Sequence, residues 1–412
     1  MVGASLGAPR FVSPLEGPFV DDAPTVEGFE RAGRRRGLFF EPGETRAGIV
    51  TCGGLCPGTN NVVRTLVLAL LHGYRVHHVL GFRFGLAGLV AGGPEPIRLT
   101  PPLVRDAHRV GGTMLGTSRG RQDTRAIVDT LETSGIDVLF MIGGNGTIRA
   151  AIDVRAEISA RRRPIAVVVV PKTIDDDIPI VDETFGFDTA VAHAAAAIDA
   201  AHAEARSAQN GVGLVKLMGR DAGILAASAC LASGEANFCL VPEVPFALEG
   251  EDGLFASLRA RLAKRSHAVI VVAEGCGARL AHPGAERDPS GNLRYASATL
   301  DIGAHLRDAI VRHFAEIGVP VTLKYIDPSY TIRAAVANST DAIRCGELAR
   351  HAAHAAMAGR TDVLVGRVRG QWVHLPLALA ASSERRVDAE LWAAVREITG
   401  ASGALSSPPR PS

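Results

Sequence analysis

The chain has 412 residues, enough for two or three domains of ordinary size, and 47% of them are hydrophobic, so large cores can be buried. Lys and Arg number 44 against 43 for Asp and Glu, a net charge of +1, which argues against nucleic acid or a membrane surface as the main partner. No apolar run reaches the length of a membrane span, the N-terminus lacks the pattern of a secretory signal, and six scattered cysteines without a matching zinc spacing point to a reduced, cytoplasmic protein.

Residues 1–44 show no clear periodicity and read as an N-terminal extension that wraps the surface or is partly disordered. From there the segments alternate. Arg46–Thr51 reads as a strand, Cys52–Thr59 as a Gly-rich turn and Asn60–Leu71 as a helix. A second strand is expected at Tyr74–Leu80. A third, Ile136–Ile142, runs into the turn Gly143-Gly-Asn-Gly-Thr147 and a helix over Ile148–Ala160. The β-branched run Ile165–Val170 reads as a fully buried strand. Pro171 closes it, and Lys172, Thr173, Asp175, Asp176 and Asp177 follow directly.

A second set of elements starts near Asp188. Helices are expected at Ala190–Ala208, Gly223–Ala232, Gly253–Lys264 and Leu300–Ile317, and strands at Gly213–Met218, Asn237–Val241, Ala268–Ala273 and Val321–Tyr325. Residues 279–296 read as an exposed loop. Asp341–Ala358 reads as a helix, 362–376 as two short strands and 401–412 as a disordered tail. Repeated strand, glycine turn and helix mean parallel sheets covered by helices. Two α/β lobes with the active cleft between them is the simplest arrangement.

Two glycine turns, at 53–58 and 143–147, each follow a strand and open a helix. Such turns bring backbone N–H groups close to a phosphate. Neither has P-loop or dinucleotide spacing. A third Gly-rich segment carries Arg119, and together the three point to a phosphate-rich ligand. Phosphoryl transfer needs a proton acceptor, cations around the moving group and alignment. Asp175 or Asp177 fits the first role, and Arg119 and Lys172 the second. Thr147 and Thr173 offer hydroxyl donors. Glu243 and Glu274, at strand ends, suit sugar hydroxyls, while Arg220 and Arg333 suit a sugar phosphate. His351 and His354 lie on one helix without a carboxylate partner at metal spacing and read as packed or surface histidines.

With these segments in hand, the sequence resembles the phosphofructokinase family, closest to its long plant and trypanosome ATP-dependent type. The matching stretches are Arg46–Gly58 with Asn60, Gly116–Gly120, Pro171–Asp175, Phe185–Ala190, Lys216–Arg220, Val272–Gly275 and Lys324–Tyr330 with Arg333, in the family's order. The resemblance implies two Rossmann-like three-layer lobes. A nucleotide-binding lobe would span 45–187, completed by about 326–360, and a sugar-phosphate lobe 188–325, completed by about 361–400. It implies ATP-dependent, Mg²⁺-dependent phosphorylation of fructose 6-phosphate, and a homodimer or homotetramer. Gly54, Arg119, Gly120, Gly144, Asn145, Gly146 and Thr147 would hold the nucleotide phosphates. Asp175 would be the general base, with Arg119, Thr173 and Asp177 also catalytic. Thr173, Ile174, Met218, Gly219, Arg220, Glu274, Tyr330 and Arg333 would complete the sugar-phosphate site. Gly146, where pyrophosphate-using relatives carry an acid, leaves room for ATP; Lys172 occurs with either donor.

Two departures stand out. The family turn has Asp where this chain has Asn145, so a metal-site charge is missing. The acidic triplet is usually Asp-Asn-Asp and here is Asp175-Asp176-Asp177. One expectation is that the exchange conserves charge and lets Asp176 or Asp177 reach the metal. The alternatives are another donor or acceptor, such as pyrophosphate or sedoheptulose 7-phosphate, and a weakly active regulatory relative.

Overall fold

The computed structural model describes residues 4–21, 25–277, 286–287, 293–294 and 301–400. The expected disordered tail and most of the expected exposed loop at 279–296 lie outside the described residues.

The first lobe is built on an eight-stranded sheet. Its order is Glu30–Arg31, Gln371–Pro376, Val363–Val368, Ala166–Pro171, Val138–Gly143, Arg46–Thr51, His78–Phe82 and Ile97–Arg98. The five central strands, Val363–Val368 through His78–Phe82, are parallel; the outer pairings are antiparallel. The core explains the parallel arrangement. All six residues of Ala166–Pro171 and all six of Val138–Gly143 are buried, as expected for strands covered on both faces. Each such Val, Leu or Ile contributes roughly 1.5–3 kcal/mol.

The second lobe has a four-stranded parallel sheet in the order Phe238–Leu240, His267–Ala273, Gly211–Leu217 and Thr322–Ile326. Helices Phe187–Arg206 and Ile224–Ser233 pack on each other beside it. Phe187–Arg206 is Ala-rich, and Ala190, Ala194 and Ala201 are fully buried, so small side chains let it lie close to neighbouring elements.

Two domain expectations change. The hairpin at 363–376 was expected with the second lobe, yet Val363 and Leu364 pair with Val168 and Val169 of the first sheet. An apolar strand with both faces buried belongs beside another of the same kind. Beyond the hairpin, the helix Ala389–Thr399 does pack on the second lobe, against Ile224–Ser233. The N-terminal extension is also structural. Ala4–Ser5 pairs with Arg360–Thr361, and Glu30–Arg31 forms the outermost strand of the first sheet. Glu30 accepts from Arg360 and contacts His374 Nδ1 at 2.8 Å, with Arg35 at 3.4 Å. These partners hold the Glu30 carboxyl down at about 2 against the upward push of burial.

Smaller differences are at element ends. The second strand starts at His78 rather than Tyr74, because Tyr74 is fully buried and closes a π-turn after the helix Thr59–Leu68. Helix Thr124–Thr133, capped by Asp123, was not anticipated.

Candidate active site

The carboxyl ends of both sheets converge, as ligand sites in open α/β sheets do. Arg46–Thr51 delivers the Gly53–Gly54 turn, Val138–Gly143 the Gly144 turn, and Ala166–Pro171 the acidic turn. From the second lobe, Gly211–Leu217 delivers Arg220 and His267–Ala273 delivers Glu274. Together they line a cleft with a cavity volume of about 460 Å³. Of the expected residues, Gly54, Arg119, Gly120, Gly144, Asn145, Gly146, Thr147, Lys172, Thr173, Ile174, Asp175, Asp177, Arg220, Glu274 and Arg333 all line it.

The first glycine turn can form only with glycine at its hinge. Gly58 has φ +91°, and a Cβ there would sit 2.5 Å from Cys345 Sγ. Over the same turn, a Cβ on Gly54 would lie 3.5 Å from an Arg119 guanidinium nitrogen. The second turn caps Asn145–Ala160 with Gly144, so the N–H groups of that helix's first turn open on the cleft.

Asp175 is the most unusual group. Its Oδ1 is buried and has no hydrogen-bond partner. Burial pushes its carboxyl well above the usual carboxylate range. The Asp177 and Glu274 charges add to this, and Arg333 and Arg220 offset part of it. A carboxyl with a spare oxygen and a raised pKa suits proton transfer.

Asp177 is held differently. Asn145 Nδ2 donates to its Oδ2 at 2.8 Å and Thr173 Oγ1 to its Oδ1 at 2.9 Å. Burial raises its carboxyl, and the Thr173 hydrogen bond works the other way. Lys172 is buried and donates from Nζ to Gly54 O at 2.5 Å. Burial pushes its ammonium pKa down, with Arg119 and Arg333 adding to the fall. Lys172 thus ties the acidic turn to the first glycine turn. Cys52 and Cys56 nearby are pushed up to about 12 by burial and stay thiols.

Several expectations are corrected. Asp176 does not face the cleft. Its backbone is left-handed, φ +51°, and its buried carboxylate turns to Thr184 N and Oγ1 and to Arg385. Turned away from the cleft, it is no metal ligand. Met218 and Gly219 do not line the cleft; Met218 is buried in the core behind it. Tyr330 is 82% exposed on the short helix Ser329–Arg333, whose other end carries Arg333 into the cleft. Glu243 is buried and accepts from Gly223 N and Val387 N, so it cannot meet a sugar. His351 and His354 are packed, in keeping with the expectation: Tyr74 Oη lies 2.8 Å from His354 Nδ1, and His351 packs on the Trp372 ring.

The structure adds lining residues that sequence reasoning missed, among them Arg149, Asp221 and Glu384. Arg149 stands one helical turn after Asn145, and Asp221 directly follows Arg220, so spacing could have pointed to both. Glu384 had no such signal, because it comes from a segment far along the chain. Burial raises its carboxyl, and Asp221 and Asp177 raise it further.

Two lobes closing on a cleft of glycine turns, arginines and carboxylates define the phosphotransferase class of α/β enzymes. The family model described as phosphofructokinase matches residues 46–356, and the chain belongs to the phosphofructokinase family. A relative in Amycolatopsis methanolica, named ATP-dependent 6-phosphofructokinase, is 48% identical over 380 residues, covering 90% of this chain and 82% of that protein. A Trypanosoma cruzi protein of the same name is 45% identical over 376 residues, covering 90% and 76%. ATP-dependent 6-phosphofructokinase 7 of Arabidopsis thaliana is 46% identical over 369 residues, covering 89% and 75%. Among solved structures, the pyrophosphate-dependent phosphofructokinase of Marinobacter aquaeolei superposes with a TM-score of 0.70 at 20% identity, over 89% of this chain and 94% of that one. Phosphofructokinase from Saccharomyces cerevisiae gives 0.64 at 23% identity, over 82% and 45%. At those identities the structures speak for the fold.

Proposed function

We propose that this protein transfers the terminal phosphoryl group of ATP to the 1-hydroxyl of fructose 6-phosphate, giving ADP and fructose 1,6-bisphosphate. The relatives named for this activity support it at 42% to 48% identity. The carrying observation is Asp175, with an unpartnered buried oxygen and a raised carboxyl, in a cleft that also holds Arg119, Arg220 and Arg333.

In this reading Asp175 takes the proton from the sugar hydroxyl as the new P–O bond forms. Its raised pKa makes it a stronger proton acceptor than an ordinary carboxylate. Arg119 stabilises charge on the moving group, and the Gly144 turn meets the donor phosphates with backbone N–H groups. Arg220, Arg333 and Glu274 hold the sugar phosphate. Gly146 presents no side chain to the donor, which suits a nucleotide.

A magnesium ion fits the donor set. Mg²⁺ prefers one or two carboxylates plus phosphate oxygens, and Asp177 and the Asn145 side-chain carbonyl supply hard oxygens in the cleft. When bound, the ion would neutralise charge on the donor phosphates. Asp176 takes no part. The subunits associate into a homodimer or homotetramer, the reaction takes place in the cytoplasm, and nucleic acid and membranes are not partners. Among the described residues no helix is long and apolar enough to cross a membrane.

The test is ADP release by purified protein at saturating ATP and Mg²⁺, with and without fructose 6-phosphate. Parallel arms replace ATP by pyrophosphate and the sugar by sedoheptulose 7-phosphate. Fructose-dependent ADP release supports the reading. Silence with ATP and fructose 6-phosphate sinks it, and turnover in another arm reassigns the donor or acceptor.

A further inference from the structure

The middle acid of the triplet, Asp176, has a carboxylate that the cleft does not use. Its surroundings show what it does. The left-handed backbone at Asp176, φ +51°, turns its side chain away from those of Asp175 and Asp177. Oδ1 accepts from Thr184 N at 2.8 Å and Thr184 Oγ1 at 3.1 Å, and Oδ2 accepts from Arg385 at 2.7 Å. The Asp176 side chain is 4% exposed and that of Arg385 39%.

Arg385 makes two more contacts on the same turn. Its guanidinium donates to Asp182 O at 3.0 Å and its backbone N–H to Asp177 O at 2.8 Å. Two residues on, Val387 N donates to Glu243 Oε1 at 3.0 Å, and the same carboxylate accepts from Gly223 N at 2.9 Å at the head of the helix Ile224–Ser233. Asp388 then caps Ala389–Thr399, which buries Trp392 and Val395 against the second lobe. Residues 384–388 therefore run from the acidic turn of one lobe to a buried carboxylate of the other. Glu384, directly before the first anchor, stands in the cleft.

We infer that Asp176 and Arg385 are positioning residues: their ion pair clamps the acidic turn to a strap tied to the second lobe, and so fixes where Asp175 and Asp177 stand relative to the sugar-phosphate side of the cleft. The chemistry of the clamp follows from its geometry. A left-handed residue between two cleft-facing acids can swing both of them, and a buried, multiply bonded carboxylate stops that motion. Val387 and Glu243 carry the restraint across to the lobe that holds Arg220 and Glu274. This inference rests on the proposed kinase reaction for its catalytic readout, and a second readout stands apart from that reaction.

The experiment compares Asp176→Asn, Arg385→Gln and the double variant with the parent protein. Asn keeps the shape of Asp176 and an oxygen for Thr184 but loses the charge. The inference expects kcat to fall about ten- to a hundredfold in each single variant, as loss of fine alignment does. KM for ATP and for fructose 6-phosphate should stay within about twofold, because the clamp acts through the transition state. The double variant should be no worse than the singles, since both remove one pair. Arg385→Lys, which keeps a cation, should recover part of kcat, and it also serves if Arg385→Gln fails to fold. Hydrogen exchange is the second readout: amides in 172–186 and 384–388 should exchange faster in the variants, and those of the remaining sheets should not. Single variants with kcat within about twofold of the parent would overturn the inference, as would losses that multiply in the double variant. Unchanged exchange at the turn overturns it even if the parent shows no turnover. Absent turnover in the parent alone rejects the proposed reaction, not the clamp.

Discussion

Asn145 stands where a carboxylate would be expected, and the cost of putting one there can be worked out. In Asn145→Asp, the amide that donates to Asp177 Oδ2 at 2.8 Å becomes a second carboxylate. A hydrogen bond to a charged group, worth about 1.5–3 kcal/mol, is lost. Two unit charges about 4 Å apart at an effective dielectric of about 20 also repel by about 4 kcal/mol. The pair escapes part of this by separating or by holding a proton, so a net loss of roughly 3–5 kcal/mol near pH 8 is expected. The pH dependence has a definite sign. The folded variant keeps a proton that its unfolded chain releases, so stability falls as pH rises from about 4 through the raised pKa of the pair, and recovers as pH falls. The assay is urea unfolding of variant and parent at several pH values, reported as their difference. Added Mg²⁺ should narrow the gap, since a cation between the two acids removes the repulsion. An unchanged difference between about pH 8 and about pH 5, or one that grows as pH drops, would refute the reasoning.

Three other outcomes are expected. Asp175→Asn should lose about 10²–10⁴ in kcat while KM for fructose 6-phosphate changes little, and parent kcat should fall as pH drops through the raised pKa of Asp175; a variant at near-parent rate would place the base elsewhere. Gly146→Asp should raise KM for ATP at least about tenfold, with little change in melting temperature because an acid in a helix's first turn is favourable; an unchanged KM would show that this position does not face the donor. His354, buried and pushed down to about 3, must stay neutral to fold, so its contribution is intact above about pH 6.5 and is lost on acidification, by about 2 kcal/mol at pH 5. His354→Gln should flatten the stability profile by about that amount between about pH 7 and about pH 5, and an unaltered slope would contradict the burial argument.

Much of the cleft was legible because its chemistry sits at strand ends. A buried strand followed by a glycine turn announces both its own position and that of the next few residues. Gly54, Asn145, Lys172, Asp175 and Glu274 were all reachable that way. What failed was direction. Asp176 and Asp177 are neighbours in sequence, and only the left-handed backbone at Asp176 sends one to Arg385 and leaves the other in the cleft. The same holds for Tyr330 and Arg333, which share one short helix and face different surroundings. Contacts over long separations were out of reach: Arg385 with Asp176, Val387 with Glu243, and the hairpin at 363–376 with Val168 and Val169. Nothing local in those segments names its partner. The extension at 4–44 looked loose because its two-residue strands carry no period, yet they are fastened through Glu30 to residues more than three hundred positions away.

The two borders of the large sheet carry a consequence of their own. A parallel sheet left open at either side offers a row of free peptide groups, on which another chain can lay down a strand. Here both borders end in strands of two residues, Glu30–Arg31 and Ile97–Arg98, each antiparallel to its neighbour. Two residues are too few to template further growth, and both finish on a charged side chain. Glu30–Arg31 thus acts as a selvedge along one border of the weave. Shortening the chain from that end would uncover Gln371–Pro376 together with His374 and Arg360, and would turn a finished margin into a raw one.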